Sequence, residues 1–337
     1  MGPTVDMAAS ATEAQWYYTR EELALPPSVR AGMSLVEERN RRQSAVKGLW
    51  KIRDSSSFKQ PVITAAATFV HRFYMRETFQ EWDYKLIAAA ALFLASKSEE
   101  EPRSIKSLVG WMINPAGDDP NAATSPLAMD TRQKIIVYEE AMLRVLCFDL
   151  TVRHPHWIAV SATKAMWSDE EAEVRDKVAQ AAWMILNDSL PAPLCLLHTP
   201  PVLAAAALVL ACVQLDVSLP GPPPPVSEQR AAHELAVQEA EEGEETQPFE
   251  PRVFWLDVLG IKAEALREPV QDMVDVYKLA NDPFVVEEGA RLAAKAAAAL
   301  VQFAAASNAP SPVPPRPGTT TPVVSDLEPA GNGIDLS

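Results

Sequence analysis

Glycine is scarce in this chain, 12 residues in 337, and cysteine scarcer still, at three. Runs that alternate apolar and polar residues are also hard to find, so little in the sequence suggests β-strands. Cys147, Cys195 and Cys212 are odd in number and form no CxxC pair. That argues against a disulfide framework and fits a reducing compartment. Long apolar runs are lacking as well. The longest, Val202 to Val213, has 12 residues, too short to cross a bilayer. The opening "MGPTVDMAAS" has no basic region followed by an apolar stretch, so no secretory signal is expected. Asp6 stands where N-myristoylation asks for Ser or Thr. Basic residues are outnumbered, 30 Lys and Arg against 45 Asp and Glu, for a net charge of −15. Phosphate binding depends on clustered Lys and Arg, so a nucleic-acid groove is not the expected main function. No GxGxxG, P-loop or HExxH pattern occurs, which removes the commonest nucleotide and zinc signatures. A soluble intracellular protein is expected.

What the sequence does have is helix signals. Hydrophobic residues make up 48%, enough to bury a real core. Thr19 and Glu22 form a capping box, as do Ser168 and Glu171. Residues 34–53 alternate charged and apolar faces at helical spacing. Pro61, Pro155 and Pro200 sit where a helix tolerates proline, at its start. Asp83 can cap the helix that follows it, and Asp130 with Gln133 predicts a helix over 132–146. On that helix Ile136, Glu139, Glu140, Leu143 and Leu146 fall close to one side. "ERNRR" (38–42) reads as a solvated helix face. "NPAGDDPNAATSPLAMD" (114–130) reads as a long loop. Residues 219–248 are proline-rich and then acidic, and read as a flexible insertion. Helical patterning returns over 254–260 and 263–280, and an alanine-rich helix is expected over about 286–306. The proline-rich end of the chain reads as disordered.

One phrase occurs twice. "LIAAAALFLASK" (86–97) and "VLAAAALVLACV" (202–213) coincide at an offset of 116 residues, with Ala88 to Ala91 over Ala204 to Ala207. A helix that is apolar all round is surrounded by its neighbours. Alanine, the smallest side chain that favours helix, lets those neighbours approach closely. Two such rods predict a duplicated, two-lobed, all-helical protein. Lys97 is the part that packing does not explain, because Val213 takes its place in the second copy.

"AAALFLASKSEE" (89–100), followed by "YEEAMLRVLCFDL" (138–150), resembles the central signature of the cyclin box. "QWYYTREEL" (15–23), "PPSVRAGMSLVEERNRRQSA" (26–45), "HRFYM" (71–75) and "HPHW" (154–157) are similar to the transcription-type cyclins, the T and K kinds. The resemblance spans about residues 15–285. It implies an all-α fold of two tandem five-helix cyclin-box repeats, with an N-terminal helix and a disordered C-terminal tail. The divisions it suggests are an N-terminal extension (1–30), a kinase-binding first box (31–150), a second box (151–285) with the insertion at about 219–248, and a C-terminal segment (286–337).

By the same resemblance, Lys97 and Glu139 form the polar centre of a kinase interface, and Leu94, Leu143 and Leu150 supply its apolar contacts. The implied partner is a cyclin-dependent kinase catalytic subunit, in a heterodimer that can admit a third subunit. RNA polymerase II is the implied substrate of the complex and the nucleus its location. Catalytic residues, metal ligands and cofactors are not expected in this chain, nor is direct contact with nucleic acid or membrane. "NRRQSA" (40–45) stands where mitotic cyclins carry an "MRAIL" docking patch. Arg42 matches that motif's Arg, but polar residues replace its apolar ones, which counts against docking of RxL-type substrates. Two other readings stay open. Cys195 and His198 in "CLLH" could belong to a thiol nucleophile or half a metal site. The same fold could also serve a TFIIB-like transcription factor or adaptor without a kinase.

Overall fold

The computed structural model describes residues 11–56, 58–114, 119, 121–239, 249, 251–278 and 283–307. Every regular element among them is a helix. Three short helices come first, α1 (Ala11–Ala14), α2 (Arg20–Ala24) and α3 (Pro27–Arg30). The first lobe follows as α4 (Leu35–Ser56), α5 (Gln60–Phe73), α6 (Tyr84–Ser98), α7 (Ile105–Ile113) and α8 (Pro126–Val145). The second lobe contains α9 (Pro155–Met166), α10 (Ala172–Ser189) and α11 (Pro200–Gln214). Next come α12 (Val226–Glu239), α13 (Trp255–Leu259), α14 (Arg267–Lys278) and α15 (Pro283–Ser307).

The two alanine phrases form the central rods. In α6, Ala88 to Ala91 are at most 4% exposed; in α11, Ala204 to Ala207 are wholly buried. Around α6 pack α4, α5, α7 and α8, and around α11 pack α9, α10, α13, α14 and α15. The likeness of the rods extends past the quoted letters to their ends. Glu100 and Asp216, related by the same offset of 116 (100 to 216), both adopt φ +53°. Beyond them Glu101 N–H donates to Ser96 O at 2.8 Å, and Val217 N–H to Cys212 O at 2.9 Å. Each rod therefore closes with the same left-handed cap, which satisfies a last-turn carbonyl. Asp83 caps α6 through the N–H groups of Lys85 and Leu86.

Several expectations are corrected. Helix α8 begins at Pro126, not near residue 132, because the Ser125 hydroxyl caps it by accepting from Ala128 N–H. Asp130 lies inside the helix and pairs with Lys134 at 2.7 Å. The buried side of α8 is Ile135, Glu139, Met142 and Leu146; Ile136 is 54% exposed. The 114–130 loop is correspondingly shorter. "ERNRR" is not simply a solvated face, since Glu38 and Arg42 are an ion pair with both side chains only 3% exposed. Within the insertion, residues 226–239 form helix α12, while 240–248 lie outside the described residues. Helix α15 packs on the second core through Ala296, Leu300 and Phe303. The expected disordered tail, from residue 308 on, lies outside the described residues.

The lobes meet through specific bonds. His71 of α5 donates from Nε2 to Leu190 O at 2.9 Å, and Tyr18 N–H donates to Leu196 O at 2.8 Å. Arg20 reaches Asp272 of α14 with two bonds of 2.8 Å. Glu99, just past α6, meets His154 at 3.1 Å.

Candidate functional site

Lys97 lies in the last turn of α6, and Glu139 in the middle of α8. The two helices pack along their length, and the side chains meet at 2.6 Å, Lys97 Nζ to Glu139 Oε1. The pair is asymmetric: the lysine side chain is 44% exposed and the glutamate 12%. Glu139 is covered because it sits on the core-facing side of α8, between Ile135 and Met142. Lys97 projects outward, with its ammonium 3.9 Å from the centre of the Phe93 ring. An ammonium carries three donors. One goes to Glu139, which fixes the position of the group while it still faces solvent.

Apolar side chains lie on the same two helices and in the turn that follows α8. Leu143 and Leu150 are half-buried and pack against the first core. Leu94 is only 4% exposed, so its contribution to any surface is to hold α6 in place from beneath. Sequence reasoning missed Phe148, which is 70% exposed. Cys147 and Phe148 take φ values of +52° and +57°, a left-handed turn that costs a non-glycine residue about 1–2 kcal/mol each. That turn ends α8 and projects the Phe148 ring outward. The signal was present in the quoted "VLCFDL", as an aromatic beside a helix end, but nothing in the periodicity marked it as exposed.

The turn is held from behind. Arg76 donates to Val145 O at 2.7 Å and lies 3.1 Å from Cys147 Sγ. Its guanidinium also stacks on Trp16, 4.1 Å from the ring centre. The Trp16 indole N–H donates to Asp149 Oδ2 at 2.8 Å. The N-terminal segment thereby braces the 145–150 turn against the first lobe.

The alternative chemistry does not assemble. Burial pushes the Cys195 thiol up to about 11, far from a thiolate at neutral pH. His198 meets Asp272 at 2.6 Å instead. Among the described residues no group of three His, Cys, Asp or Glu side chains is placed to hold a metal.

Residues 13–151 match the family model of the cyclin N-terminal domain. The chain is similar to Cyclin-T1 of Bos taurus, 30% identical over 210 residues, which is 61% of this chain and 28% of that protein. It is similar to Cyclin pch1 of Schizosaccharomyces pombe, 29% identical over 213 residues, 62% of this chain and 61% of that protein. The chain carries a cyclin N-terminal domain and is homologous to these cyclins. It spans less than two thirds of the length of either relative. The same fold also appears in two solved assemblies. A chain of the CAK complex from Chaetomium thermophilum bound to ATP-gamma-S superposes with TM-score 0.55 at 17% identity, covering 88% of this chain and 91% of that one. A chain of the yeast RNA Pol II CTD kinase CTDK-1 complex gives TM-score 0.57 at 14% identity, covering 83% of each. The first lobe, with Lys97, Glu139 and the Phe148 turn, is the cyclin domain.

Proposed function

We propose that this chain is the regulatory, non-catalytic cyclin subunit of a nuclear cyclin-dependent kinase. In this reading the kinase phosphorylates the C-terminal repeat domain of RNA polymerase II and promotes transcription elongation. The observation that carries the proposal is the fixed Lys97–Glu139 pair, its lysine side chain 44% exposed, on helices that also carry half-buried Leu143 and lead into the turn with Leu150 and the projecting Phe148. A partner that covers this surface gains buried area from the leucines and Phe148, and the positioned Lys97–Glu139 pair supplies polar specificity. The T-type relatives supply the partner class, and one fold neighbour belongs to the yeast RNA Pol II CTD kinase CTDK-1 complex.

The mechanism is a population shift. A kinase of this class needs its own catalytic Lys–Glu pair assembled, which depends on the placement of its αC helix. A cyclin that packs on that helix favours the assembled state. Moving such an equilibrium from 1:99 to 99:1 takes about 5.5 kcal/mol of differential binding. A few buried apolar anchors and a positioned Lys–Glu pair can supply that much, since single interface hot spots are worth about 2 kcal/mol or more.

The test is affinity purification of the tagged chain, followed by assay of the eluate on a heptad-repeat peptide. The expected result is one kinase catalytic subunit at equal stoichiometry and phosphorylation of the peptide. Purification without a kinase, together with tight duplex-DNA binding at physiological salt, would replace this reading with the adaptor one.

A further inference from the structure

The proline run beyond α11 is a built surface rather than slack chain. Residues 222–225 are four consecutive prolines, and residues 221–224 each precede one. Proline fixes its own φ at about −65° and holds the residue before it at a ψ of about +120° to +160°. Together these conditions specify a polyproline II helix, with three residues to the turn. The burial pattern has that period. Val217, Pro220 and Pro223, spaced three apart, are half-buried. Gly221, Pro222, Pro224 and Pro225, on the other two rows, are exposed. Leu219, where the chain leaves the second core, is half-buried as well.

Both ends of the run are tied to the second lobe. The buried Trp255 indole donates to Pro220 O at 3.2 Å. Gln229 of α12 donates from Nε2 to Pro224 O at 2.7 Å, and its Oε1 accepts from Arg252 N–H at 2.7 Å. Arg252 in turn donates to Met166 O, at the end of α9, at 2.9 Å. The Pro225 carbonyl accepts from the N–H groups of Glu228 and Gln229. These bonds hold the ridge through its carbonyls and leave its outer rings exposed.

The outer rows present Gly221–Pro222 and Pro224–Pro225 as two X-Pro pairs one turn apart, about 9 Å. Prolines spaced this way slot between the aromatic side chains of a groove, and a backbone already fixed loses little freedom on binding. The flanks narrow the kind of groove. Residues 217–227 carry no charge and no aromatic ring. A groove that relies on an acidic pocket for a flanking Arg gains nothing from them.

We propose that residues 220–225 are a docking ridge for a partner domain of the WW kind, whose aromatic-walled groove reads an uncharged polyproline II helix. The ridge belongs to the second lobe, whereas Lys97 and Glu139 are on the first, so its failure leaves the kinase reading untouched.

The test is titration of the full chain into an isotope-labelled WW domain that binds uncharged proline–leucine runs, read by NMR shifts of its groove Tyr and Trp. An SH3 domain with an acidic pocket is the control. The WW domain should bind with its groove residues shifted, and the SH3 domain should bind more weakly or not at all. Pro222→Ala with Pro225→Ala removes outer rings and should weaken binding about tenfold or more. Pro220→Ala, on the inward row, should change it by less than about threefold. Gln229→Ala unties one end with every proline in place, and should weaken binding about threefold or more. Melting temperatures of all variants should stay near that of the parent. Four results would each overturn the proposal: no shift in the WW groove, tighter binding by the SH3 domain, a loss from Pro220→Ala as large as from the outer-row double variant, or unchanged binding in Gln229→Ala.

Discussion

Helix α4 contains its own controlled experiment on charge burial. Glu37–Arg41 and Glu38–Arg42 are both i,i+4 acid–base pairs on one helix, one residue apart. The first is open, with side chains 49% and 37% exposed; the second is buried, with both at 3%. Arg42 also donates to His71 O at 3.0 Å and Tyr74 O at 3.4 Å, so it satisfies carbonyls at the end of α5. Replacing Glu37 by Ala removes a solvent-screened pair and should cost about 0.3–0.5 kcal/mol. Glu38→Ala leaves the Arg42 guanidinium buried with only carbonyl acceptors, and should cost about 3–5 kcal/mol. Measured against the roughly 5–15 kcal/mol that holds a domain together, the second loss is a large part of the total. Glu38→Ala with Arg42→Met should cost less than Glu38→Ala alone, because no unpaired charge remains. The assay is urea denaturation followed by circular dichroism, with slopes compared so that a midpoint shift reports stability. Equal losses for Glu37→Ala and Glu38→Ala would refute the reasoning.

Two further predictions concern the lobe junction and the rods. Burial and the nearby Arg42 charge hold His71 down to about 3, and burial holds His156 down to about 4, against an ordinary 6.5. Between those values and 6.5 the unfolded chain binds protons that the fold refuses, so stability falls as pH drops below 6.5, by up to about 1.4 kcal/mol per pH unit for each histidine. Denaturation midpoints from pH 7.5 to 4.5 should show a shallower slope in His71→Gln than in the parent; identical slopes would contradict the assignment. Ala90→Leu and Ala206→Leu each force extra volume against a fully surrounded rod and should cost about 1–3 kcal/mol or more apiece, read as loss of melting temperature. A neutral result at either position would mean that its helix is not a central one.

Much of this fold was legible because its signals are local. Thr19 with Glu22, Ser168 with Glu171, and Asp83 each lie within a few residues of the groups they cap, and the caps form as their spacing implies. The rods were legible because four consecutive alanines leave no polar face. What stayed hidden depends on distant chain. An i,i+4 Glu–Arg pair reads as solvated until the end of α5 covers Glu38 and Arg42. Asp130 looked like a cap because Ser125 and Pro126 sit inside a proline- and alanine-rich stretch that reads as loop. Helix α12 was obscured because most of its described residues are exposed, so no apolar stripe announces it. At the candidate site, Lys97 stood out only as the residue without a counterpart in the second copy. Its nearness to Glu139 came from family resemblance, and the 2.6 Å contact gives that expectation a geometry. Phe148 needed the left-handed turn to be seen.

In the proposed function Lys97 and Glu139 face a kinase rather than serve the fold. The direct measurement is the affinity of the co-purified kinase catalytic subunit for the parent chain, Lys97→Glu, Glu139→Lys and the charge-swapped double variant. Each variant's own stability should be measured alongside. With Lys97 nearly half exposed, the pair should contribute about 1 kcal/mol or less to folding. As an interface centre it should contribute about 2 kcal/mol or more to binding, a loss of about 30-fold in affinity. The swapped double restores a pair within the chain but presents the wrong charges to the partner. It should fold like the parent, bind as poorly as the single variants and fail to activate the kinase. Parent-like binding and activation by all three variants would contradict the kinase-facing role.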